Sequence, residues 1–98
     1  MAVSANLIVL ASGDNVGVAL RDIRAGEIAA TLSGVSLRAQ EDVPQGHKVA
    51  LDDIAEGQDI VRFGMPVAIT RRPIARGHLV HVHNVASRYL NNDEDHYE

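Results

Sequence analysis

Val18-Ala19-Leu20-Arg21-Asp22-Ile23-Arg24-Ala25-Gly26 returns thirty-one positions later as Val49-Ala50-Leu51-Asp52-Asp53-Ile54-Ala55-Glu56-Gly57. At the same offset Gly46-His47 maps onto Gly77-His78, and Val49 onto Val80. Within these stretches an element Asp/Pro-Ile/Val-x-x-Gly occurs four times, at Asp22–Gly26, Asp42–Gly46, Asp53–Gly57 and Pro73–Gly77. Its starts are spaced by 20, 11 and 20 residues. Such an alternation predicts an internal two-fold duplication rather than a solenoid with one period.

Each element reads as a turn. The Ile or Val anchors it in the core, two small or polar residues cross the surface, and the Gly takes positive φ before the next strand. Asp22, Asp42 and Asp53 are expected to close their own turns by bonding backbone two residues on, and Pro44 bars helix from one of them. Short strands are expected between the turns: 6–11, 15–20, 27–31, 35–39, 47–50, 58–61, 67–70 and 79–82. Ser33-Gly34 marks a hairpin, and Val35 to Gln40 alternates with a period of two. One helical turn is expected at 51–56, and no long amphipathic helix. The fold class is all-β, compact and pseudo-symmetric. Residues 1–11 read as an N-terminal strand, 12–86 as the main domain, and 87–98 as a polar, acidic tail.

Ninety-eight residues suffice for one modest core. The hydrophobic share of 46% is mostly aliphatic, with one Phe, two Tyr and no Trp. That suits closely spaced strands better than a self-sufficient enzyme interior, so the chain reads as a module that needs a partner to complete a site. A net charge of −4 with no basic block argues against nucleic acid. The absence of cysteine excludes thiolate catalysis and fits a reducing compartment. The apolar run 6–11 is too short to span a bilayer and has no basic residue before it, so no membrane association is expected and a cytoplasmic location is the default. Exposed sheet edges favour self-association, and a homo-oligomer is an open expectation.

Three of the five histidines fall in Gly77-His78-Leu79-Val80-His81-Val82-His83-Asn84. If 80–85 is a strand, His81 and His83 leave one face roughly 6–7 Å apart. They can then ligate a metal ion or bond one carboxylate or hydroxyl; the alternative is one ring bonded to backbone in the core and the other in solvent.

In order and at compatible spacing, Asp14-Asn15-Val16, Ala19-Leu20-x-Asp22-Ile23, Gly46-His47-Lys48-Val49-Ala50-Leu51-x-Asp53-Ile54-x-x-Gly57, Phe63-Gly64 and Gly77-x-x-Val80-His81-x-His83-Asn84 resemble the N-terminal SAF domain of the altronate and galactarate dehydratase family. The resemblance covers most of residues 12–85. It departs at His78-Leu79, where the pattern has an acidic residue followed by His. The resemblance implies a small β-clip fold and a part in lyase chemistry on sugar acids, with Fe²⁺ or Mn²⁺ held mainly by the partner. In single-chain members the domain precedes a large catalytic region; in others, including the similar sulfolactate sulfo-lyases, the two parts are separate subunits. This chain resembles a free-standing small subunit, inactive without its large partner.

On that basis His81 and His83 are the candidate metal ligands. His47 and Lys48 are the candidate catalytic pair, His47 for proton transfer or hydroxyl binding and Lys48 as a point charge for the substrate carboxylate. Adjacent strand residues point to opposite faces, so both reach one ligand only if the chain bends at Gly46. Asn84 suits hydroxyl recognition or capping of the strand end. His78 reads as a structural echo of His47, and Arg71-Arg72 as a solvated pair. Three functions compete: a sugar-acid dehydratase component, a sulfo-lyase component eliminating sulfite, and a non-catalytic carbohydrate-binding or assembly module.

Overall fold

The computed structural model describes residues 5–81 and 84–87, Ser87 by its backbone alone. The described residues form nine short strands: β1 (Leu7–Ile8), β2 (Val16–Ala19), β3 (Ile28–Ala30), β4 (Ser36–Arg38), β5 (Lys48–Ala50), β6 (Asp59–Arg62), β7 (Met65–Thr70), β8 (Leu79–Val80) and β9 (Val85–Ser87). They assemble into an antiparallel sheet of order β1-β2-β5-β8, the hairpin β3-β4, and the sheet β6-β7-β9. The all-β reading holds. Among the described residues no helix is long and apolar enough to cross a membrane. The helical turn expected at 51–56 is replaced by a bend and a turn on either side of Ile54, which is drawn into a β-bridge with Ile74. The last strand, β9, was not anticipated.

The four turns that organise the sequence pair with one another. Ile23 and Val43 exchange backbone hydrogen bonds of 2.9 and 2.7 Å, and Ile54 and Ile74 exchange bonds of 2.7 and 2.8 Å. The aspartates do not close their own turns as expected; they reach across to the facing one. Asp22 Oδ1 accepts from Gln45 N–H, Asp42 Oδ1 from Ala25 N–H, and Asp53 Oδ1 from Arg76 N–H, all at 2.8–2.9 Å. Proline stands at position 73, so the second pair has a carboxylate on one side alone. A charged acceptor strengthens such a bond, and its removal orphans a backbone donor.

Asparagines tie the hairpins to the central sheet. Asn6 donates to Ile28 O and accepts from Ala30 N–H; Asn15 donates to Asp59 O and accepts from Val61 N–H. The acceptors and donors of the second set stand thirty-one residues after those of the first. Side chains alternate across β5 and β8, so the central sheet feeds two apolar clusters. Val49 joins Leu7, Ile23, Leu37 and Val43 on one side, with Leu79 packed against them. Ala50 and Val80 join Val16, Ile54, Ile60 and Ile74 on the other.

Gly57 and Gly77 both hold positive φ, +79° and +90°. A Cβ at Gly57 would meet nothing within 4 Å, whereas at Gly77 it would stand 2.5 Å from the carbonyl oxygen of Arg38. Gly57→Ala therefore isolates the conformational penalty, roughly 1–2 kcal/mol, and Gly77→Ala adds a backbone clash. Denaturant titration should show Gly77→Ala to be clearly the less stable; equal midpoints would contradict the packing of this turn against β4.

Candidate functional site

The register of β5 against β8 creates the site. Lys48 lies opposite Val80 and Val49 opposite Leu79, so one step beyond the ladder His47 faces His81. Their ring centroids are 4.8 Å apart with the planes tilted by 54°. The sequence around His47 explains why its ring is available for this contact. After two of the other turns, the residue following the Gly folds back: Glu27 Oε1 accepts from Arg24 N–H at 2.7 Å and Gln58 Oε1 from Ala55 N–H at 2.8 Å. The corresponding position before His47 is Pro44, which has no N–H to offer. The ring is not drawn back, and its Nδ1 lies 3.4 Å from the carbonyl oxygen of Gln45, at the outer limit of a hydrogen bond.

Lys48 follows at the first position of β5 and is 7% exposed. Gly46, with φ +84°, turns the chain just before His47. Gly46, His47, Lys48, Val80 and His81 line one depression.

Beyond Val80 the expected strand gives way. β8 ends at Val80, His81 sits at a bend, and Asn84 belongs to a turn. The i, i+2 argument for pairing His81 with His83 needs a strand that His81, at a bend, does not continue; His83 itself lies outside the described residues. The physical reason is Asn84. Its Oδ1 accepts from His81 N–H at 2.9 Å, its Nδ2 donates to Leu79 O at 2.8 Å, and its own N–H donates to His81 O at 3.0 Å. This buried amide ties the residue before β9 back to the end of β8. Asn84 thus positions His81 from behind, the strand-capping alternative open from sequence.

His78 points elsewhere. Its Nδ1 lies 3.0 Å from Glu41 Oε2, which also accepts from Leu79 N–H. Glu41 carries no sequence signal for this role, since it lies 37 residues upstream and outside every motif. Arg71 and Arg72 are exposed. Among the described residues no group of three or more His, Cys, Asp or Glu side chains gathers as a metal site. The described donors do not make a complete site for Fe²⁺ or Mn²⁺; two imidazoles are a partial set.

Chemically, the depression offers two imidazoles, each able to donate at one ring nitrogen and accept at the other when neutral, with Lys48 in its lining. That combination can bind a carboxylate, orient a hydroxyl and move a proton.

Fold and site together define a small all-β domain that presents a pair of contacting histidine rings at the end of its central sheet. The chain belongs to the altronate/galactarate dehydratase SAF domain family, which it matches over residues 5–88. It is 44% identical over 71 residues to the altronate dehydratase of Bacillus subtilis and 40% identical over 86 residues to that of Escherichia coli. These alignments cover 72% and 87% of the chain but only 14% and 17% of the two dehydratases. The (2R)-sulfolactate sulfo-lyase subunit alpha of Chromohalobacter salexigens is 28% identical over 94 residues, covering 87% of this chain and 97% of that subunit.

Removing the Asn84 amide should loosen His81 before it affects the sheet. Asn84→Ala orphans two backbone groups at a buried position, a loss of about 1–3 kcal/mol. In NMR spectra of the variant the His81 ring signals should shift and broaden, while those of His78, held by Glu41, stay in place. Unaltered His81 signals would show that Asn84 does not set its position.

Proposed function

We propose that this chain is the SAF component of a sugar-acid lyase of the altronate/galactarate type, contributing His47, Lys48 and His81 to a site completed by a large catalytic chain or region. The observation that carries this reading is the His47–His81 contact across β5 and β8 beside Lys48, in a depression open on one side. The dehydratase relatives support it, because in them the matched segment is a small fraction of a much longer protein.

Dehydration of a sugar acid removes the proton beside the carboxylate and expels the β-hydroxyl. Negative charge gathers on the carboxylate oxygens in between. In the proposed site Lys48 receives the carboxylate as a fixed positive charge, with no proton transfer of its own, and preorganised charge of this kind lowers the barrier by a few kcal/mol, on the order of 3. In this reading one of His47 and His81 accepts the α-proton and the other donates a proton to the departing hydroxyl, which leaves as water. Packing of the rings against each other fixes their orientation, and the Asn84 turn holds His81 from behind. A divalent ion, with further ligands from the large chain, would stabilise the same charge by acting as a Lewis acid. Product release as the enol leaves tautomerisation to the 2-keto-3-deoxy acid.

The coverage of the sulfo-lyase alpha subunit over nearly its whole length favours a second reading, in which the same half-site serves elimination of sulfite from a sulfonated hydroxy acid. Both reactions are β-eliminations from a hydroxy acid and make the same demands on Lys48 and the two rings.

The chain should be assayed with its large partner on altronate, galactarate and sulfolactate, with Fe²⁺ or Mn²⁺ supplied. Turnover of one of these is expected, and turnover of none would overturn the assignment. In the active pair His47→Ala and His81→Ala should each lower kcat by about a hundredfold or more, with the melting temperature of the domain nearly unchanged. Lys48→Met should mainly raise KM. Wild-type kinetics in both histidine variants would remove them from the site.

A further inference from the structure

Phe63 is the chain's single phenylalanine, and it sits 68% exposed at the tip of the β6-β7 hairpin with Met65, 53% exposed, beside it. Isolated exposed apolar residues are ordinary on protein surfaces. This one is unusual in its backbone. Among the described residues Phe63 is the sole non-glycine with positive φ, +56°, followed by Gly64 at +73°. Two such residues make the tight turn that joins twisted strands, and Asn-Gly or Asp-Gly is the sequence that adopts it most readily. A bulky aromatic there is a poor choice for the turn itself.

The rest of the fold holds the tip in place. Asp14, 8% exposed, accepts from Phe63 N–H at 2.8 Å and from Gly64 N–H at 2.9 Å, and a third bond from Ala11 N–H closes its own loop. A buried carboxylate from the loop before β2 thus bonds both residues of the turn. The result is an aromatic ring presented to solvent on a backbone tied at both turn positions. Rigid aromatic side chains with few rotatable bonds are the residues that most often anchor protein interfaces.

We propose that Phe63 is the anchor by which this domain docks on its large catalytic partner, the ring entering an apolar pocket of that chain. The inference rests on the two-part reading above. In the dehydratase relatives the matched segment is joined to roughly five-sixths of a longer protein, by the 14% and 17% coverage, so a large polypeptide of the same enzyme is the occupant at hand. The other exposed apolar region, the depression lined by Ile8, Leu20 and Leu32, has no comparable clamp on its hairpin tip and serves as the control.

Binding of the purified domain to the large lyase chain of the same organism, followed by biolayer interferometry, tests this. Phe63→Asn places the residue the turn prefers at the tip while deleting the ring. The variant should melt at the wild-type temperature or above it, and its Kd for the large chain should rise at least tenfold. Phe63→Asp, equally at ease in the turn, should do the same, and Phe63→Tyr should stay within a fewfold of wild type. Leu32→Ser should leave binding unchanged. Wild-type affinity in Phe63→Asn and Phe63→Asp would overturn the anchor and leave the two-part reading standing. Loss of binding in Leu32→Ser with none in Phe63→Asn would move the docking face to the other hairpin. Failure of the wild-type domain to bind at all would overturn both.

Discussion

The structure depends on β5 being paired on both sides. Lys48-Val49-Ala50 is buried along its whole length and bonds β2 on one edge and β8 on the other. Val49 and Ala50 are each 0% exposed and belong to different apolar clusters, so this three-residue strand is the wall between the two halves of the core. Its register also sets the site. With period-two alternation a one-residue slip against β8 would exchange the faces of every side chain on the strand, moving Val49 out of its cluster and separating His47 from His81. The same packing that stabilises the sheet therefore fixes the distance between the two rings.

Around this strand, polar groups are used chiefly to hold backbone. Asp22, Asp42 and Asp53 join facing turns, Asn6 and Asn15 tie hairpins to the sheet, and Asn84 folds the chain after β8. In strands of two to six residues, ladder bonds alone leave many donors and acceptors over, and each buried one must find a partner. Side-chain carboxylates and amides supply those partners.

Much of the architecture was legible because it is written in local chemistry. The glycines of the four turns and the β-branched runs between them mark where strands begin and end; six of the nine strands fall inside the stretches so indicated, and β6 and β7 overlap theirs. What local chemistry cannot show is partnership across the chain. The aspartates were recognisable as turn residues, but their acceptor roles toward turns 17 to 23 residues away require the fold. His47, Lys48 and His81 were legible as candidates from their types and motifs, whereas the pairing of His47 with His81 depends on a strand register. The strand expected from Val80 onward ends at that residue, with His81 at a bend bonded to the buried Asn84. Glu41 was invisible for the same reason as the aspartate partners: nothing near it in sequence reveals the imidazole it meets.

The proposed lyase role stands on His47 and His81 acting as one unit rather than as two independent surface residues. A double-mutant cycle on turnover by the assembled enzyme tests this most directly. Residues that share one step are strongly non-additive, so the His47→Ala/His81→Ala double variant should be hardly slower than the slower single variant. Independent losses that multiply in the double variant would contradict a shared site across β5 and β8.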